Sequence, residues 1–170
     1  MVKLRPLAGV ILTSVLLTGS IAVTPAAAST AETVTVSITE AAARPSNGKI
    51  LYSRYSRGQG TLKIKNGNRT DTVVTLVRGR SKALSVYVRA RSTATVRVVK
   101  DGTYTIFYTS GYRFSTSRGR FTRDPSYRRF DKRLRFVTTS TSTTIWTLTL
   151  TPIRGGNART RGVSPGDFPA

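Results

Sequence analysis

Nine basic side chains crowd one short stretch of this chain: Arg113, Arg118, Arg120, Arg123, Arg128, Arg129, Lys132, Arg133 and Arg135. Six aromatic residues are interleaved with them, namely Tyr112, Phe114, Phe121, Tyr127, Phe130 and Phe136, and only Asp124 and Asp131 oppose their charge. Guanidinium groups stay charged at any physiological pH and make paired hydrogen bonds to carboxylate and phosphate. Aromatic faces stack on bases and sugar rings. The pattern is that of a polyanion-binding segment. A plainer account fits the same residues: the aromatics anchor a long loop to the body of the protein, and the arginines face water. No nucleic-acid-binding motif accompanies the cluster, so contact with nucleic acid would be nonspecific attraction to its backbone.

Most familiar active sites are excluded by inventory, and no motif supports the Ser-Lys dyad that the composition leaves open. With no His and no Cys, the chain has no Ser-His or Cys-His nucleophile pair and no ordinary zinc or copper site. Its seven carboxylates are Glu32, Glu40, Asp71, Asp101, Asp124, Asp131 and Asp167. A glycosidase needs two carboxylates facing each other across a cleft. Asp124 and Asp131 are the one candidate pair, and their basic surroundings favour roles as salt-bridge partners or turn formers. Calcium needs converging oxygens, often from clustered carboxylates, and the sequence has no such cluster. Gly58-Gln59-Gly60 and Gly155-Gly156 do not continue into the Lys-Ser/Thr helix start of a phosphate loop. No catalytic, cofactor-binding or metal-ligating residue is expected, and no enzyme activity.

The first 28 residues read as a secretory signal peptide. Lys3 and Arg5 precede a mostly apolar stretch from Leu7 to Val23, and Pro25-Ala26-Ala27-Ala28 supplies small residues for a signal peptidase. The expected cut falls between Ala28 and Ser29, by the general secretory route, since no Arg-Arg pair precedes the apolar run. The expected location is extracellular, near the cell wall. An exported chain without Cys has no disulfides and must hold together by burial alone. The net charge is +21 over the whole chain. Such a balance favours anionic cell-wall polymers, acidic polysaccharide, nucleic acid or anionic membrane as partners.

Short alternating runs must position these side chains. Residues 29–59 read as a flexible basic arm or linker, although Thr33 to Thr39 alternates like a strand. The folded domain is expected over 60–153. Leu62 and Ile64 open it, and Asn66-Gly67-Asn68 turns the chain into a strand from Thr72 to Val77. Leu84, Val86 and Val88, then Ala94, Val96 and Val98, then Tyr104, Ile106 and Tyr108 each line one face of a strand. These three read as a meander, with Asp101-Gly102 as a tight hairpin turn. Tyr112 to Arg133 reads as a long irregular loop. Leu134 to Thr138 and Thr143 to Leu150 close the domain, with Trp146, Leu148 and Leu150 expected to share the buried core. Residues 154–170 read as an irregular tail. About seven strands with no helical period make an all-β, antiparallel sandwich, immunoglobulin-like or prealbumin-like, with a small closed barrel as the alternative.

Three segments carry a resemblance: GTLKIKNGNRTDTVVTLV, VYVRARSTATVRVVKDGTYTIFYTSG and RFTRDPSYRRFDKRLRF. Together they resemble a family of uncharacterised secreted bacterial β-sandwich domains, over roughly Gly60 to Phe168. The Asp101-Gly102-Thr103-Tyr104 turn is also similar to one in carboxypeptidase-regulatory-like and other immunoglobulin-like modules. The resemblance implies a sandwich and carries no site residues. The resulting expectation is a secreted, non-enzymatic binding or structural module that associates with anionic cell-surface polymers through its Arg-rich surface. The alternative is a protein–protein module that meets another exported protein through a strand edge or the arm.

Overall fold

The computed structural model describes residues 44–54, 57–151 and 159–169. The expected signal peptide, its expected cut site and the run from Thr33 to Thr39 lie outside the described residues. The described chain forms ten strands: β1 (Ile50–Ser53), β2 (Gly60–Asn66), β3 (Asp71–Arg78), β4 (Ser81–Val88), β5 (Ser92–Val99), β6 (Gly102–Ser115), β7 (Arg120–Phe130), β8 (Leu134–Phe136), β9 (Ile145–Thr149) and β10 (Thr160–Gly162). One 3-10 turn, Pro165–Asp167, follows. The protein is an all-β sandwich.

The larger sheet, A, runs β1-β4-β3-β6-β7-β10, with β8 paired to the start of β6. All its pairings are antiparallel. The smaller sheet, B, runs β5-β2-β9, and β2 pairs β9 in parallel. Period-2 alternation produces the core between them. Sheet A contributes Val74, Leu76, Val86, Ile106 and Phe136, and sheet B contributes Leu62, Ile64, Val96, Leu148 and Leu150, all buried. A second apolar cluster lies on the outer face of sheet A, where Val73, Tyr87, Phe114 and Phe121 pack together with Leu51 against them. Strand β4 is therefore buried on both faces from Ala83 to Val88.

The three runs that read as a meander do form strands, but not with one another. β4 pairs β3 and β1, β5 pairs β2, and β6 pairs β3, β7 and β8. Asp101-Gly102 is an arch between the sheets instead of a hairpin. Gly102 has the expected positive φ, at 148°. The Asp101 carboxylate is committed elsewhere: it accepts hydrogen bonds from Thr138 N at 2.9 Å and Thr138 Oγ1 at 2.8 Å. Those bonds tie the arch to the segment after β8.

The region read as an irregular loop, Tyr112 to Arg133, is mostly sheet. β6 and β7 make a long hairpin that bends over the outer face of sheet A beyond Gly111. A register shift falls between Ser110 and Tyr112, with Asp124 at φ 48° on the bulged strand and Arg113 at φ 51°. Pro125 fits there because a bulge needs no ladder donor at that position. Gly111 permits the bend. A Cβ on it would lie 2.8 Å from Phe121 Cβ and 2.9 Å from the Arg123 carbonyl oxygen.

Part of the expected arm is also ordered sheet. β1 pairs β4, and Arg44 to Gly48 is fastened beside it. The fastening is Asp71, whose carboxylate accepts from Arg44 Nε at 2.7 Å and from Ala90 N at 2.8 Å. It also accepts a second Arg44 bond and the Tyr87 hydroxyl. Burial alone pushes the Asp71 carboxyl up, but the bonds from Arg44, Tyr87 and Ala90 outweigh it and leave it below the usual carboxylate value. Burial, reinforced by the bond to Asp71, pushes the Tyr87 phenol up to about 12. The expected tail behaves likewise. β10 pairs β7, and Phe168 packs edge-on against Phe107 and Tyr127, with ring centroids 5.9 and 5.2 Å away.

Candidate functional site

Sheet B has three strands, and sheet A has six along its path. At about 4.8 Å per strand, the narrow sheet cannot cover the wide one. The inner face of β7 and the neighbouring β10 are left beyond the β9 edge. A cleft of ≈ 970 Å³ opens there between the layers. Ile106, Tyr108, Phe130, Leu134 and Leu148 form its apolar floor, and Trp146 stands at its edge.

Five cations line this cleft: Arg69, Arg128, Lys132, Arg133 and Arg159. Among the described residues, no carboxylate does. Each is placed by a local device. Arg69 leaves a corner built on Asn66, whose buried side-chain amide donates to the carbonyls of Thr70 (2.9 Å) and Arg89 (3.1 Å). Asn68 Nδ2 reaches across to the Leu150 carbonyl at 3.3 Å, linking that corner to the β9 side. Arg128 sits on the inner face of β7 opposite Tyr108 and donates from Nε to Thr160 Oγ1 at 3.1 Å. Lys132 and Arg133 occupy the turn into β8. Arg159 is held where Asp131 N donates to its carbonyl at 3.0 Å.

Trp146 departs from expectation. It pairs with Leu62 across the parallel ladder, but it is 38% exposed, while Leu148 and Leu150 are buried. Its indole N–H donates to the Arg135 carbonyl at 2.8 Å. The ring lies at the rim of the sandwich, where among the described residues β9 has no further strand beside it.

Strand alternation and the bent hairpin divide the nine clustered bases among several surfaces. Arg128, Lys132 and Arg133 enter the cleft. Arg118 and Arg120 flank the hairpin turn, beside a different pocket on the outer face of sheet A. Arg123 lies over the Tyr112 ring at 5.7 Å and 3.6 Å from Asp124. Arg113 belongs to the same bent end of β6, and Arg135 is exposed on β8. Arg129 lies on the outer face with its guanidinium 6.0 Å from the Phe107 ring centre. Of the two candidate acids, Asp131 pairs with Arg161 Nε at 2.9 Å and Asp124 sits beside Arg123. Among the described residues, no three carboxylates are grouped so as to hold a metal ion. Arg69 and Arg159 were missing from the sequence cluster, because only the packing of the two layers brings them to it.

No protein-family model, curated protein or solved structure matches this chain.

Proposed function

We propose that this protein is a secreted, non-enzymatic binding module that holds anionic cell-surface polymers in the cleft between its sheets. One observation carries the reading: five cations and no carboxylate line a single open cleft. Charges gathered around a groove with apolar walls focus the local field and attract a chain of negative charges more strongly than the same charges dispersed. Arg128 and Arg133 offer paired donors to phosphate or carboxylate, and Lys132 adds a point charge. The apolar floor and Trp146 suit the less polar segments of such a polymer.

The test is elution from immobilised linear polyphosphate over a salt series. The triple variant Arg69→Ser, Lys132→Ser and Arg133→Ser removes three cleft charges. The comparison variant, Lys63→Ser, Lys65→Ser and Arg97→Ser, removes three from the exposed outer side of sheet B. The cleft variant should elute at lower salt. Its slope of log affinity against log salt should flatten by about 0.7–0.9 per lost contact, the scale known for nucleic acid. Equal losses in the two variants would mean diffuse charge without a site.

A second reading rests on β9. It is an edge strand, with Ile145 67% exposed, and Val137 is exposed nearby. An extended segment of another exported protein could pair along it. That association would persist at high salt, where polyphosphate binding is lost.

A further inference from the structure

The second pocket lies on the opposite face of sheet A and has a different construction. Its volume is ≈ 800 Å³. β1 forms one side, the turn of the β6–β7 hairpin another, and the segment Pro165 to Pro169 a third. Its floor consists of hydroxyls. Thr75 Oγ1 and Ser85 Oγ, both buried, lie 3.0 Å apart and bond to each other. Thr109 is 3% exposed, and its Oγ1 has no hydrogen-bond partner among the described residues. Aromatic rings stand around the floor: Tyr52, Phe114, Tyr127 and Phe168. Lys49, Lys82, Arg118 and Arg120 also line it, and among the described residues no carboxylate does. Lys82 Nζ sits 4.6 Å from the centre of the Tyr52 ring.

We infer that this pocket binds a single acidic sugar unit, a hexuronate residue at the end of or within a glycan. Each part of the lining matches one part of such a ligand. Aromatic faces take the C–H face of a pyranose ring. The hydroxyl floor can donate to and accept from ring hydroxyls, as water would. The cations take the carboxylate. A buried hydroxyl without a partner destabilises the fold that keeps it, and this one lies beside a pocket open to solvent. Thr109 lines that pocket, so rotation of its side chain would bring the buried Oγ1 to a group that arrives from outside. A lone phosphate would use the cations and leave the rings and hydroxyls idle. This site is separate from the interlayer cleft and does not depend on the polymer reading of that cleft.

The test uses the whole chain and isothermal titration at low salt with three probes: a hexuronate trisaccharide, its neutral hexose counterpart and inorganic phosphate. The acidic trisaccharide should bind about tenfold or more tightly than either of the others, the scale of one charge-assisted bond. Thr109→Val keeps the shape of the side chain and deletes the unpartnered hydroxyl. It should leave the melting temperature unchanged or raise it, while weakening the trisaccharide about three- to tenfold. Lys82→Met keeps the stem over Tyr52 and should weaken the acidic probe without affecting the neutral one. The cleft triple variant should bind the trisaccharide as the wild type does. The proposal is overturned if phosphate or the neutral sugar equals the acidic probe, or if Thr109→Val binds normally. It is also overturned if the cleft variant alone loses the trisaccharide. Loss of polyphosphate binding with retained trisaccharide binding keeps the two sites apart.

Discussion

Replacing Tyr87 by Phe removes one oxygen from the latch at Asp71, and the surroundings set what that should cost. Tyr87 is fully buried, and the Asp71 side chain is 13% exposed, so water barely screens their bond. A hydrogen bond to a charged group in such a place contributes about 1.5–3 kcal/mol. Arg44 contributes the formal ion pair, yet its side chain is 53% exposed. Solvent screening holds that pair to about 1 kcal/mol or less. Tyr87→Phe should therefore cost more than Arg44→Ala, although only the latter removes a charge. Asp71→Ala strands the Tyr87 hydroxyl and the Ala90 N–H together and should cost about 3–4 kcal/mol. Urea unfolding of the single variants and the Asp71→Ala/Tyr87→Phe double variant gives the coupling energy, expected at about 1.5–3 kcal/mol. The pH dependence supplies a second readout. The Tyr87 phenol is raised in the folded state, so its contribution is complete below the ordinary tyrosine value and is lost as pH climbs towards about 12. Asp71 is lowered, so its contribution is complete above the ordinary 3.8 and is lost as pH falls through its folded value. Tyr87→Phe should lack the alkaline loss. Equal costs for Arg44→Ala and Tyr87→Phe, or a coupling under about 0.5 kcal/mol, would refute this account of the latch.

Three further substitutions test the rim and the arch. Trp146→Ala should cost about 1–2 kcal/mol, below the roughly 3–5 of a fully buried aromatic, because the ring is 38% exposed. Iodide should quench its fluorescence, and polyphosphate in the cleft should protect it. A loss above 3 kcal/mol, or no quenching, would place the ring inside. Gly102→Val should cost about 1–3 kcal/mol, since a β-branched residue is strained at φ 148°. Gly79→Ala at φ 61°, with nothing within 4 Å of its added Cβ, should cost less. Thermal melts that reverse this order would refute the arch.

What could be read in the sequence was local. Alternation of Leu84, Val86 and Val88 against Ser85 and Tyr87 marked β4 as a strand. Gly102 announced a positive φ. Pairing partners were hidden, because the same alternation is satisfied whichever strand lies alongside. Asp-Gly marks a tight turn but does not say whether the chain returns along its own sheet or crosses to another. Asp101 bonds Thr138, far along the chain, and that bond belongs to the crossing. Tyr87 alternates with the apolar face of Leu84, Val86 and Val88, yet it is fully buried. Its partners Phe114 and Phe121 arrive only because the hairpin bends at Gly111. Nine bases close in sequence looked like one patch, but neighbouring residues on β7 face opposite ways. Trp146 has the parity of a core residue. Its exposure follows from where sheet B stops, which no local pattern encodes.

The parallel pairing of β2 with β9 has a consequence for how quickly the molecule assembles. Thr61 aligns with Ile145 and Lys65 with Thr149, so the second strand and the ninth must find each other. Hairpin contacts such as β3–β4 and β6–β7 close short loops and form early. The β2–β9 ladder closes nearly the whole domain, and its entropy must be spent before any of its hydrogen bonds form. During synthesis, β2 is flanked by β5 alone until Ile145 has been made. For all that time one edge of β2, with Leu62 and Ile64 on it, is open to the wrong partner. The step that completes the small sheet is thus also the one that closes the β2 edge to a wrong partner.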